Sequence, residues 1–194
     1  MPQLNPNINV RYSYAEYLTW NDGKRWELID GQAVCMSPAP GRLHQKISRM
    51  LERQIDSYLA DKGCEMYHAP FDVRLNETID NAADDYIDTV VQPDIVVVCD
   101  PSKLDDRGCK GSPDLIVEIL SPSTTRMDMT VKFELYQRFA VKEYWIVHPK
   151  DQTVLVFKLQ ESGLYGVPDR YGAEDIIPVT LLGDLHIDLN RVFG

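Results

Sequence analysis

Two carboxylates stand where apolar strands are expected. Asp94 lies in Gln92-Pro93-Asp94-Ile95-Val96-Val97-Val98, and Glu118 in Asp114-Leu115-Ile116-Val117-Glu118-Ile119-Leu120. An unpaired ion buried in such a strand costs several kcal/mol, so each needs a compensating partner. Two carboxylates about 4 Å apart would add a repulsion of about 4 kcal/mol at an effective dielectric near 20. A shared divalent cation removes both problems. The bland alternative is that each acid sits at a strand end, bonded to backbone or paired with Arg or Lys.

Lys132 bears on that choice. Val131, Leu135 and Phe139 make a helical stripe flanked by Met129 and Tyr136, and Lys132 projects from the middle of that set. A lysine on a core-facing stripe implies a buried anion for its ammonium. The competing reading is an exposed pair with Asp128 four residues earlier, or a stem that snorkels outward. If Asp94 and Glu118 share a cation, the cation would activate water and polarise a phosphoryl oxygen. Lys132 would orient the water or stabilise negative charge developing on the phosphate. An oxygen-only ligand set suits Mg²⁺ or Mn²⁺ better than zinc.

The elements that must position these residues follow from local patterns. Ser13 and Glu16 form a capping box that opens a short helix to about Trp20. Trp26–Ile29 and Gln32–Val34 flank Asp30-Gly31, a type I′ hairpin signal, and Ser37–Gly41 reads as a loop. From Leu43 to Leu59, apolar residues recur at helical spacing, with Arg42, Lys46, Arg49 and Arg53 on the opposite face. Strands are expected over Glu65–Leu75, Val90–Cys99 and Asp114–Leu120, with a loop over Asp100–Pro113. A second helix is expected over Met127–Val141, capped by Thr125 and Asp128, then strands at Tyr144–Val147 and Val154–Phe157. Short segments fill the tail from Gly163 onward.

The chain has 194 residues, 44% hydrophobic and 26% charged, which suits one α/β domain over residues 1–194. Its apolar runs are too short to cross a bilayer, and Met1–Asn7 shows no secretory signal, so a soluble cytoplasmic protein is expected. Cys35, Cys64, Cys99 and Cys109 form no CxxC pair, and Cys99 reads as a reduced buried thiol. The formal net charge of −10 argues against nucleic-acid binding by bulk attraction.

The run Pro93-Asp94, Pro113 through Thr124, Lys132-Phe133-Glu134-Leu135-Tyr136 and Val141–Val147 resembles the signature of the Uma-two family of restriction-endonuclease-type proteins. The Glu27–Gly31 hairpin and His44 fit the same pattern, and the resemblance runs from about Tyr12 to Phe193. It implies the PD-(D/E)XK fold: a restriction-endonuclease-like αβββαβ core with a mixed central sheet, a preceding hairpin and extra C-terminal strands. It implies Mg²⁺-dependent hydrolysis of DNA phosphodiesters, with Asp94 and Glu118 on the metal-binding acidic positions. The superfamily's usual lysine two residues after the acid is Leu120 here, and the resemblance gives that role to Lys132.

Glu27 and His44 are further site candidates, against a polar strand face for Glu27 and a satisfied core position for His44. Ser121–Thr125 lacks a nucleophile elbow and reads as a helix cap. The cations of the first long helix read as a phosphate track or as a solvated face. The expected activity is a metal-dependent endodeoxyribonuclease, with a homodimer as a candidate assembly by analogy. The alternative is a catalytically inactive nuclease-fold module that binds nucleic acid or protein.

Overall fold

A computed structural model describes residue 7 and residues 10–36, 39–76 and 83–194. Most of the N-terminal segment and Ser37-Pro38 of the expected loop lie outside the described residues. The first elements are α1 (Tyr14–Tyr17), β1 (Trp26–Ile29), β2 (Gln32–Cys35), α2 (Arg42–Leu59), β3 (Glu65–His68) and β4 (Val73–Leu75). Then come β5 (Thr89–Val91), β6 (Ile95–Val98), β7 (Leu104–Asp105), β8 (Gly108–Lys110) and β9 (Leu115–Ile119). A π-helical stretch, Met127–Lys132, runs into α3 (Phe133–Arg138), followed by β10 (Glu143–His148), β11 (Thr153–Lys158) and β12 (Asp169–Tyr171). The chain ends with β13 (Ile176–Val179), β14 (Leu185–Asp188) and α4 (Leu189–Phe193).

Six strands form a mixed sheet in the order β12-β11-β10-β9-β6-β3, in which β9 and β10 are parallel and the other pairs antiparallel. The chain thus runs α2, β3, β6, β9, α3, β10 through this layer, the expected αβββαβ order. Strand alternation splits the core in two. Ile95, Val97, Leu115, Val117, Ile119, Trp145 and Val147 face the α2 stripe of Ile47, Leu51, Ile55 and Leu59. Val96, Val98, Ile116, Tyr144 and Ile146 face α3 and a second six-stranded sheet, β2-β1-β5-β4-β8-β7. Glu118 shares the parity of Ile116, so β9 aims its carboxylate into the layer between the two sheets.

The expected hairpin forms at Asp30-Gly31, where both residues take positive φ (50° and 75°) and Ile29 pairs with Gln32. Several expectations are corrected. Glu65–Leu75 is two strands in different sheets, broken around Ala69-Pro70, because Pro70 has no N–H for the ladder. Val90–Cys99 is likewise broken at Gln92-Pro93-Asp94, so Asp94 precedes β6 and is not inside a strand. The loop Asp100–Pro113 contains the β7–β8 pair. Helix α1 ends at Tyr17, three residues early, although its Ser13–Glu16 capping box is present.

The second long helix is not one α-helix to Val141. Its first part is π-helical, its second ends at Arg138, and Ala140 takes positive φ (55°). The Thr125–Asp128 capping box does not form: Thr125 donates its hydroxyl to the Ser121 carbonyl, and the Asp128 carboxylate turns inward. Cys64 and Cys99 are joined in a disulfide, not held as thiols. They lie one step past the Glu65–Val98 partners of the β3–β6 pair, directly opposite one another. No helix among the described residues is long and apolar enough to cross a membrane.

Candidate active site

The β6–β9 pairing brings the two acids together. Ile95 is the partner of Val117, and one further step in that antiparallel register sets Asp94 opposite Glu118. Directly opposed residues have Cβ atoms roughly 5 Å apart. The Ile119 amide donates to Asp94 Oδ2 (2.8 Å), and His44 Nε2 lies 3.1 Å from the same oxygen. An ionised carboxylate only accepts, so Nε2 carries the proton and donates. His44 Nδ1 is buried without a hydrogen-bond partner among the described residues. Burial alone would lower the His44 pKa, but the bond to Asp94 and its charge outweigh that and hold it above the usual value.

Glu118 is buried, and its Oε1 accepts from Lys132 Nζ (2.8 Å) and from the Tyr136 hydroxyl (2.8 Å). Lys132 Nζ also donates to Glu27 Oε1 (2.9 Å) and lies 4.0 Å from Asp128 Oδ1. Glu27 comes from β1 in the other sheet, and its Oε1 also accepts the Gln92 amide at 2.8 Å. One ammonium therefore joins three elements: β1, β9 and the helix. Burial opposes its charge, yet Glu118, Glu27 and Asp128 together raise the Lys132 pKa well above the ordinary value, so it stays charged. Burial also pushes the Glu118 carboxyl up to about 8; Lys132 pulls it down, but Asp128, Asp94 and Glu27 add to the rise. Asp128 is raised for the same first reason, its burial.

The helical stripe is rotated from the expected one. Lys132, Leu135, Tyr136 and Phe139 are buried, whereas Val131 is 40% exposed. The wider π turn places Asp128, Lys132 and Tyr136 along one inward line.

These side chains border a cleft of about 450 Å³, lined by Glu27, His44, Asp94, Glu118, Asp128 and Lys132. Of the five residues picked from the sequence, all five meet here, in two linked groups: Glu27–Lys132–Glu118 and His44–Asp94. Asp128, expected only as an exposed partner of Lys132, and Tyr136, expected only at the flank of its stripe, join the site, as does Arg25. Asp128 and Tyr136 stand four residues either side of Lys132, and both are buried. Arg25 lines the cleft and donates to Gln92 Oε1 (2.7 and 3.1 Å), a contact across 67 residues with no local signal.

Asp94 and Glu118 each keep one oxygen, Oδ1 and Oε2, to which no described residue donates. Both are hard donors of the kind that suit a divalent cation. Among the described residues, no three His, Cys, Asp or Glu side chains are gathered closely enough to hold a metal by themselves.

Comparison with known proteins adds to this geometry. Residues 14–190 match the profile of the Uma2 family, described as "Putative restriction endonuclease". An uncharacterized protein of Synechocystis sp. is 26% identical over 185 residues, covering 94% of this chain and 87% of its own length. A solved structure from Anabaena variabilis, titled a "putative nuclease belonging to DUF820", superposes with a TM-score of 0.72 at 19% identity. That match covers 94% of this chain and 97% of the Anabaena chain, so the two share a fold.

Proposed function

This chain belongs to the Uma2 family, and from that premise we propose that it is a metal-dependent nuclease that hydrolyses DNA phosphodiester bonds at the Asp94–Glu118–Lys132 site. The carrying observation is the pair of opposed carboxylates, each with an uncommitted oxygen, beside an ammonium locked in place at 2.8 Å. Asp94 Oδ1 and Glu118 Oε2 would hold Mg²⁺ or Mn²⁺, with water and substrate oxygens completing the shell. The bound cation supplies Lewis acidity toward the phosphate.

The chain's own residues do the rest. In hydrolysis a water oxygen bonds to phosphorus, the bond from phosphorus to one sugar oxygen breaks, and a proton passes from the water to the departing oxygen. Lys132 stays protonated and so cannot take the water's proton; it supplies fixed positive charge to the phosphoryl oxygens. Tyr136 and Glu27 fix the Glu118–Lys132 pair from opposite sides. His44 and the Ile119 amide hold Asp94 by Oδ2, which would leave Oδ1 for the cation. Leu120, in the slot where the superfamily has its lysine, is buried in the core between the sheets.

With Mg²⁺ or Mn²⁺ the purified protein should nick supercoiled plasmid DNA. Asp94→Asn and Glu118→Gln should each lower the rate by about 10²-fold or more. Cleavage that persists in EDTA, or that both variants retain, sinks the proposal. One observation favours a second reading, a binding module: Lys132 is already neutralised by carboxylates of its own chain. DNA binding without any Mn²⁺ uptake in calorimetry would select it.

A further inference from the structure

We infer that the cationic face of α2 is a docking track for the phosphodiester backbone of a nucleic acid, leading away from the cleft. This rests on the nuclease reading and extends it from the bond cut to the strand that flanks it. Arg42, Lys46 and Arg49 line a groove of about 540 Å³ together with Gln45, Glu52 and His68. Gln45, Glu52 and His68 also line the cleft that holds Asp94 and Glu118, so the two depressions run into one another.

The chain has 30 acidic and 20 basic side chains, and surface cations such as Arg11, Arg107, Arg138 and Lys158 are each tied to an aspartate. Among the described residues, unpaired cations such as Lys150 and Arg170 also occur elsewhere on the surface, but they line neither the groove nor the cleft. Arg42 and Arg49 are exposed, and no described carboxylate lies within ion-pair distance of either. Lys46 donates to the backbone oxygen of Gly194. Glu52, the carboxylate in the groove, is turned to His68 (3.6 Å) and Ser48 (2.6 Å).

Electrostatics favours such a track. A cleft lined by five carboxylates repels a polyanion, and a chain of net charge −10 offers no bulk attraction. Arg42 and Arg49 are seven residues apart, about 10 Å along the helix axis, the axial rise of roughly three nucleotides in a duplex strand. They are spaced to meet separate phosphates of one strand.

The test is fluorescence anisotropy in EDTA over a salt series, with a short labelled DNA duplex and the matching single strand. Arg42→Gln/Arg49→Gln is compared with Lys150→Gln/Arg170→Gln, which removes the same charge from exposed positions elsewhere. The α2 pair should weaken binding at least tenfold and reduce the slope of log affinity against log salt by about 2. The control pair should bind like the unaltered protein. Both pairs should hydrolyse a small chromogenic phosphodiester normally with Mn²⁺, since the groove is not needed to hold it. Equal weakening by both pairs, no weakening by the α2 pair, or no binding of either DNA by the unaltered protein overturns the inference. Arginine-dependent DNA binding with no hydrolysis of any diester leaves it standing and removes the nuclease reading instead.

Discussion

Lys132 holds its position through carboxylates from three parts of the chain, and its own burial makes that arrangement costly to disturb. Its ammonium satisfies Glu118 and Glu27 directly and stands 4.0 Å from Asp128. Removing the cation strands these acids in the layer between the sheets. Lys132→Met should therefore lower stability by about 3–5 kcal/mol, the cost of breaking a buried pair from one side. Adding Glu118→Gln to that variant should cost much less than Glu118→Gln alone, because the charge it removes is then unpaired. Urea denaturation of the four proteins measures both effects, and strictly additive losses would show that the two groups do not depend on each other. The same residue explains what was legible from types and spacing. A lysine on an apolar stripe pointed to a buried anion, and the anion is there. Glu118, one of the two acids expected as its partners, accepts from it, whereas the second bond, to Glu27 on another strand 105 residues away, was not legible.

At the scale of elements, apolar runs revealed strands but not where they change sheets. Val90 and Val91 pair in one sheet and Ile95 to Val98 in the other, with Pro93 marking the crossing. The runs on either side of that point are both apolar because both strands are buried on both faces. The proline was the available signal, and it was subordinate to the length of the run. Asp94 owes its place to this break: just outside β6, it keeps the ladder register yet leaves its side chain free to meet Ile119 N–H and His44. The π-helical stretch at Met127–Lys132 leaves no separate mark in the sequence, because a single wide turn barely alters the spacing of its apolar residues. The β3–β6 register also decides a bond that spacing could not, the Cys64–Cys99 disulfide across 35 residues. By chain entropy, closing a loop of that length should stabilise the protein by about 4 kcal/mol. Cys64→Ser/Cys99→Ser, or reduction of the native protein, should lower the urea midpoint accordingly. Neither sulfur lines the cleft, so hydrolysis per folded molecule should not change. A loss of activity larger than the loss of folded protein would instead tie the disulfide to the site.

Over the whole molecule, the acids outnumber the bases, and three buried acids, Glu118, Asp128 and Glu143, hold protons more tightly folded than unfolded. Burial raises Glu118 to about 8 and lifts Asp128 and Glu143 above their ordinary values, while His44 is raised by Asp94 against its own burial. Asp22, Asp100 and Asp105 are shifted the other way, and they affect stability only in acid, below the ordinary carboxylate range. A raised folded pKa gives stability that is complete below the unfolded value and lost as pH rises through the folded one. For Glu118 that window runs from its ordinary value of 4.5 to about 8. The metal-free protein should therefore be more stable in urea at mildly acidic pH than above pH 8, a trend that the net charge of −10 reinforces. A divalent cation held by Asp94 and Glu118 reverses the sense of the charge balance, because it binds the ionised carboxyl and competes with its proton. Mn²⁺ at 100 times its dissociation constant should add about 2.7 kcal/mol, with nearly all of that gain on the alkaline side of the window. Urea titrations in EDTA and in Mn²⁺, on both sides of the window, measure the linkage. A flat profile in EDTA would show that Glu118 is ionised throughout, and equal stabilisation by Mn²⁺ at both pH values would place the cation away from this carboxylate.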